Sequence, residues 1–219
     1  CMTAVVVFSG GQDSTTCLFW AKQQFDNVVA VNFHYGQRHA IECAAARQIA
    51  HLAEIELVEV ELSALGKLSK SALTRADIDV AEHGGMNGLP STFVPGRNLV
   101  FLSLASSFAL SLDSHDLVAG VCQTDFSGYP DCRRETIDAM EKAIRLGNDC
   151  AAFTIHTPLM FMTKAATVEL AMSLPGCLAA LAHSVTCYQG KRPGCGVCPA
   201  CALRAKGFSE AGIPDPANG

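Results

Sequence analysis

The chain has 219 residues, 49% of them hydrophobic and 17% charged, a balance that supports a sizeable folded core and excludes a disordered or fibrous polymer. Its formal net charge of −5 argues against a broad nucleic-acid-binding face. No apolar stretch reaches the roughly 18 uninterrupted residues of a membrane span, and no cationic segment precedes the first apolar run, so neither span nor leader is expected and the expected location is cytoplasmic.

In chain order, Ala4-Val5-Val6-Val7-Phe8 is an unbroken apolar run rich in β-branched residues and predicts a strand buried on both faces, as in a parallel sheet. It leads into Ser9-Gly10-Gly11-Gln12-Asp13-Ser14-Thr15-Thr16. The two glycines permit a tight turn and let backbone N–H groups approach a ligand closely. Asp13 then opens a helix whose unpaired N–H groups and dipole favour an anion. Strand, glycine turn and helix start together predict a phosphate cradle. The turn is not a Walker loop, because the G-x-x-x-x-G-K-[ST] spacing and its lysine are absent, nor is it G-x-G-x-x-G. It resembles the SGGxDS signature of the PP-loop ATP pyrophosphatases, which cleave ATP to AMP and pyrophosphate. That resemblance implies nucleotide contacts from Phe8, Ser9, Gly10, Gly11, Gln12, Asp13, Ser14, Thr15 and Thr16.

Val28 to Phe33 predicts a second buried strand, ending in Tyr35-Gly36-Gln37-Arg38-His39. An alanine-rich helix over about 40–52 and a short strand over 56–60 follow. Two successive β-α units imply right-handed crossovers and a doubly wound parallel sheet, which binds ligands at the carboxyl ends of its strands. The glycine turn and the Tyr35–His39 segment both fall at that edge and are expected to face one pocket. From Gly66 to Gly96 the pattern reads as a long loop, either a lid or an excursion without a site. A strongly apolar helix over about 99–112 comes next. Arg97 before it is oddly placed for the helix dipole unless it serves an anion or a carboxylate; a solvated arginine is the alternative.

Leu117 to Val121 predicts another strand, and the loop after it carries Asp125, Tyr129, Asp131 and Arg133. A ring to stack on and a carboxylate to accept from adjacent N–H donors suit a flat polar heterocycle. Asp131 could equally cap the next helix, over about 133–146. A strand over 153–156 follows, and Thr163-Lys164 begins a further helix, with Lys164 in reach of phosphates at the same edge. The expected division is an ATP-binding α/β domain over 1–175 and a helical, cysteine-bearing segment over 176–219 packed on it.

Eleven cysteines in a chain without a leader argue against a disulfide framework. Seven are scattered and read mostly as core or incidental residues. Cys187, Cys195, Cys198 and Cys201 lie within fifteen residues, three of them as C-x-x-C-x-x-C. That spacing favours a tetrahedral structural zinc site, since four thiolates leave no open position. An iron–sulfur cluster is the rival.

Together, FSGGQDSTT from Phe8, NFHYGQRHAIE from Asn32, TFVPGRN from Thr92, GVCQTDFSGYPDCR from Gly120, TPL from Thr157 and TCY…CGVCPAC resemble the 7-cyano-7-deazaguanine (preQ0) synthases of queuosine biosynthesis. The region Gly66 to Leu89 matches less well, and the acidic residue expected after Lys164-Ala165 is missing. The resemblance implies a ligase that uses ATP and Mg²⁺ to turn 7-carboxy-7-deazaguanine and ammonia into the nitrile through adenylated carboxylate and amide. It assigns phosphate and metal chemistry to Ser9, Asp13, Ser14 and Lys164. The substrate side falls to Tyr35, Gln37, Arg38, Arg97, Asp125, Tyr129, Asp131 and Arg133. Asp131 is expected on the deazaguanine N–H edge, and Arg97 or Arg133 on the carboxylate. No direct nucleic-acid or membrane partner is expected, and the apolar excess suggests a homodimer. Two other readings are a PP-loop tRNA thiolase using Cys122 and Cys132, and a nucleotide-binding module without catalysis.

Overall fold

The computed structural model describes residues 2–36, 41–68, 92–124 and 129–218. Five strands, β1 (Thr3–Val7), β2 (Asn27–His34), β3 (Glu56–Glu61), β4 (Asp116–Ala119) and β5 (Thr154–His156), form one sheet in the order β3-β2-β1-β4-β5. Every pairing is parallel; Val5 at the centre registers with Val29 on one side and Leu117 on the other. The doubly wound parallel sheet expected from the sequence is thus present. Its helices are α1 (Gln12–Gln24), α2 (Ile41–Leu52), α3 (Ser63–Leu68), α4 (Arg97–Ser111), α5 (Arg134–Gly147), α6 (Lys164–Ser173), α7 (Cys177–Leu181) and α8 (Pro199–Glu210).

Alternation along β1 divides the core into two layers. Ala4, Val6 and Phe8 face Leu18 of α1, Ala46 and Ile49 of α2, Val168 of α6 and Leu181 of α7. Val5 and Leu117 face Leu102 and Ala105 of α4, Ile137 of α5 and Phe153. Both faces are covered, which is why these strands read as continuous apolar runs instead of alternating ones. The strand order reverses at β1, whose neighbours β2 and β4 send their following segments in opposite directions and leave a crevice beyond the carboxyl ends.

Several boundaries differ from expectation for local reasons. Helix α4 starts at Arg97, two residues early, because Gly96 at φ +73° turns the chain directly into it. Helix α3 occupies part of the stretch read as loop from Gly66; residues 69–91 of that stretch lie outside the described residues. Strand β4 stops at Ala119, before Gly120.

The glycine turn after β1 is pressed against α2. Gly10 sits at φ +82°, and a Cβ there would lie 2.8 Å from the Ala46 amide nitrogen and 3.0 Å from the Glu42 carbonyl oxygen. Backbone, not a flexible side chain, occupies that space. Gly10→Ala is therefore expected to cost about 1–3 kcal/mol, read as a lower urea midpoint at unchanged slope; an unaltered midpoint would show that the turn tolerates a side chain.

Candidate active site

A cavity of about 340 Å³ opens at the carboxyl ends of β1, β2 and β4, where the crevice was expected. At one end lies the glycine turn. The Ser14 hydroxyl accepts from the Ser9 amide at 3.2 Å, pairs with the Ser9 hydroxyl at 3.1 Å and donates to the Gly11 carbonyl at 3.3 Å, so one side chain ties the turn into a ring. The first N–H groups of α1 have no intrahelical partners and face this end, the arrangement that receives an anion. Phe8, Ser9, Gly11, Gln12, Asp13 and Ser14 line the cavity. Gly10, Thr15 and Thr16 do not: Gly10 packs on α2, Thr15 is fully buried, and the Thr16 hydroxyl donates to the Gln12 carbonyl at 3.0 Å.

Two polar groups at this wall are buried without partners among the described residues. Gln12 is 2% exposed and neither atom of its amide is hydrogen-bonded; Asn32 gives its NH₂ to the Phe8 carbonyl at 2.7 Å and leaves its oxygen unpaired. An unsatisfied buried polar atom costs about 1–3 kcal/mol. Both residues line the cavity, so the wall fits a polar ligand that would satisfy them.

Asp13 and Lys164 meet across the mouth of the cradle. The Lys164 ammonium donates to both carboxylate oxygens at 2.7 Å. Each of those oxygens keeps a second lone pair for a cation. Lys164 opens α6, where a positive charge opposes the dipole, so Asp13 offsets its placement. Close approach brings the two together. A Cβ on Gly120 would stand 3.1 Å from both the Asp13 carbonyl carbon and the Ser14 nitrogen, and one on Gly207 of α8 would stand 2.7 Å from the Lys164 Cβ.

The opposite end is aromatic and basic. The Arg97 guanidinium lies 5.7 Å from the Tyr35 ring centroid and 5.8 Å from that of Tyr129, and donates to the Tyr35 hydroxyl at 3.4 Å. Burial works against its charge, but Tyr35, Tyr129 and Asp131 outweigh it, and Arg97 stays protonated. Tyr129 is held in turn by the Thr92 hydroxyl and by the Phe93 ring at 5.7 Å. Asp131, 6% exposed, accepts from the Asn98 amide at 3.3 Å in the first turn of α4. It caps α4 and not its own helix, and the cavity lining includes Arg97, Tyr35 and Tyr129 but not Asp131. Arg133 is exposed before α5 and likewise outside the lining. Gln37, Arg38 and Asp125 lie outside the described residues.

The third wall comes from the C-terminal segment. Val185, Thr186, Tyr188, Ala200 and Leu203 all line the cavity, and the Val185 amide donates to the Gly10 carbonyl at 3.1 Å. Buried Arg204 of α8 holds this wall: it donates to Asp215 at 2.6 and 2.8 Å, to the Ser184 and Thr186 hydroxyls at 2.8 and 3.0 Å, and to the Leu181 carbonyl at 3.2 Å. Next to it the sulfurs of Cys187, Cys195, Cys198 and Cys201 lie within 4.8 Å of one another, with Cys195 and Cys201 3.9 Å apart. A tetrahedron with metal–sulfur bonds of about 2.3 Å has edges of about 3.8 Å, so the donor set fits one ion. Cys198 caps α8 and Pro199 occupies its first position, where the missing N–H costs nothing. Burial pushes Cys201 up to about 12; against the same push, the Val197 and Cys198 amides hold Cys195 down to about 6.

Tyr188, Asn98, Asn32, Glu42 and Arg204 were not singled out from the sequence. Burial and then Tyr129 raise the Tyr188 hydroxyl well above its ordinary value. For Glu42 a signal was present, an acid in the opening turn of the helix that follows the Tyr35 segment. Burial pushes it up to about 7 despite Arg97.

A model of the family described as "Queuosine biosynthesis protein QueC" matches residues 3–212. The chain is 52% identical over 218 residues to the 7-cyano-7-deazaguanine synthase of Chromobacterium violaceum, covering 97% of this chain and 92% of that one. It is 49% identical to the enzyme of the same name from Bacillus subtilis, over 94% of each. In fold it is similar to a 4-thiouridine synthetase solved with RNA and bound ATP (TM-score 0.54, 15% identity, 95% of this chain and 53% of that one). It is also similar to a predicted subunit of tRNA methyltransferase from Methanocaldococcus jannaschii (TM-score 0.52, 17% identity, 78% of this chain and 75% of that one).

Arg204 provides the stability test of the C-terminal wall. Arg204→Met leaves the nearly buried Asp215 carboxylate without its cation and is expected to cost about 3–5 kcal/mol, measured by denaturant unfolding. A loss under about 1 kcal/mol would show that the wall stands without it.

Proposed function

Since the chain belongs to the QueC family of queuosine biosynthesis proteins, we propose that it joins 7-carboxy-7-deazaguanine and ammonia to make 7-cyano-7-deazaguanine, consuming two ATP and releasing AMP and pyrophosphate. The observation that carries this reading is a single cavity with an anion cradle at one end and an arginine between two tyrosine rings at the other. A nucleotide triphosphate suits the first end, and a flat heterocycle bearing a carboxylate suits the second.

A carboxylate is a poor acyl donor because its leaving group would be oxide. Attack of the substrate carboxylate on the α-phosphorus makes an acyl adenylate, from which AMP leaves readily. Ammonia then gives the amide, and adenylation of the amide oxygen allows elimination to the nitrile. Ser9, Ser14 and the first amides of α1 would receive the phosphate oxygens, and Lys164 would meet the charge that spreads over phosphorus. Asp13 would hold the Mg²⁺ that accompanies ATP, an ion that would supply positive charge against the leaving pyrophosphate. Arg97 would hold the substrate carboxylate, with Tyr35 and Tyr129 packed on the ring. Asp131 would act on the heterocycle only indirectly, by setting the first turn of α4 and with it Arg97.

For the four thiols we propose a structural zinc. Soft sulfur donors, four-coordinate spacing and no open position support that choice. Its work is mechanical, because the helix it caps sets Gly207 against Lys164 and ties Arg204 to Ser184 and Thr186 of the cavity wall segment. Sulfur transfer is the weaker reading. Burial first and then Asp131 push Cys132 up to about 12, far from a reactive thiolate.

Mass spectrometry after incubation with ATP, Mg²⁺, ammonium and 7-carboxy-7-deazaguanine should show the nitrile and two AMP for each nitrile. AMP without nitrile would indicate another acceptor, and no AMP would favour a binding module. Metal analysis should find one zinc per chain, with no visible iron–sulfur absorbance. Chelation should lower both the thermal midpoint and nitrile formation; stability and rate unchanged in the stripped protein would remove zinc from the account.

A further inference from the structure

Two acids line the cavity among the described residues, Asp13 and Glu42. Both oxygens of Asp13 accept from Lys164 at 2.7 Å. Glu42 has no hydrogen-bond partner among the described residues, although it sits on a rigid base. Its own carbonyl oxygen packs 3.0 Å from where a Cβ on Gly10 would be, so the first turn of α2 is held against the phosphate cradle. Among the described residues, beyond Cys43 on its own helix, the charged and titratable groups that face it are Arg97 from α4 and Tyr35 from the segment after β2. Both belong to the end of the cavity that suits the heterocycle.

We propose that the Glu42 carboxylate is the proton acceptor at nitrogen, used once when ammonia adds and again when the nitrile forms. The inference rests on the reaction proposed above. In the first half, ammonia's lone pair forms the C–N bond to the acyl carbon. The nitrogen becomes cationic, Glu42 takes one proton, and the C–O bond to AMP breaks with its electron pair leaving on the phosphate. In the second half the amide oxygen displaces pyrophosphate from the α-phosphorus, and the cationic =NH₂⁺ group that results loses its first proton to solvent. An N–H bond of the resulting neutral imidate then breaks toward Glu42, and its pair becomes the new C–N π bond. The C–O bond breaks, and AMP again carries the pair away. Between these steps Glu42 returns its proton to solvent. No oxidant or further reactant is needed.

The electrostatics agree with the task. Burial raises Glu42 from 4.5 to about 7, with Arg97 pulling the other way, so the carboxyl is ionised at mildly alkaline pH yet basic enough to accept a proton. No such role is open to Asp13, which pairs with a lysine. Because the folded-state value lies above the unfolded one, ionising Glu42 costs stability as pH rises from 4.5 through about 7. Glu42→Gln should therefore fold at least as well as the wild-type chain at pH 8.

The test separates adenylation from nitrogen chemistry in the full-length, metal-loaded protein. ATP–pyrophosphate exchange driven by 7-carboxy-7-deazaguanine without ammonia reads the first adenylation alone. Glu42→Gln is expected to keep that exchange within about threefold while nitrile formation falls about 100-fold or more. At fixed neutral ammonia, the wild-type rate should fall on the acid side of about pH 7, and that limb should vanish in Glu42→Gln. Nitrile formation within threefold of wild type would overturn the proposal. So would a parallel loss of exchange, which would make Glu42 a binding or structural residue. Absence of both exchange and nitrile in the wild-type chain would instead remove the reaction itself.

Discussion

The ion pair of Asp13 and Lys164 joins two helix N-termini that lie 151 residues apart in the chain, and the rest of the site depends on it. Asp13 belongs to the turn that follows the first strand, and Lys164 to a helix that packs on the C-terminal segment. Bringing them to 2.7 Å requires α6 to be seated, and α6 is seated by α8, whose Gly207 lets the backbone of Lys164 approach without a side chain between them. Helix α8 is held in turn by Arg204, and its first turn by Cys198 and Cys201. The four-cysteine cluster, buried Arg204 and Lys164 thus form one mechanical series.

That series gives the C-terminal segment a second task. A cysteine cluster could merely pin a tail to a finished domain. Here the same segment supplies Val185, Thr186 and Tyr188 to the cavity wall and hydrogen-bonds the carbonyl of Gly10. The α/β sheet by itself is a fold shared with proteins of little sequence similarity. The wall opposite the sheet comes from this chain's C-terminal segment.

Charge is distributed along the cavity in a way that suits a reaction of anions. Lys164, Asp13 and the start of α1 lie at one end and Arg97 at the other, with Glu42 in the field of Arg97. Arg97, which looked misplaced at a helix start, is held there by Asp131 across α4 and by two tyrosine rings. Its charge therefore has partners although the dipole opposes it. Burial first, and then the same Asp131, raise Cys132, which keeps that thiol protonated at the edge of the cavity.

The amino-acid sequence by itself determined the parallel sheet, the cradle and the four-thiol cluster, because each is specified within a short span of chain. A β-branched run, two glycines and a helix start leave few conformations for residues 4–16, and C-x-x-C-x-x-C brings three sulfurs together through local turns. Tertiary structure alone decided that Gly10 must be glycine for packing as well as for its turn, and that Asp131 caps α4 instead of α5. It also decided that Tyr188 lines the cavity with Arg204 holding that wall, and that Glu42 is buried enough to titrate near neutrality. Each of these depends on groups dozens of residues away whose approach no local pattern encodes. Burial and Coulomb terms, which set the chemistry of a carboxyl, act through space and not along the chain.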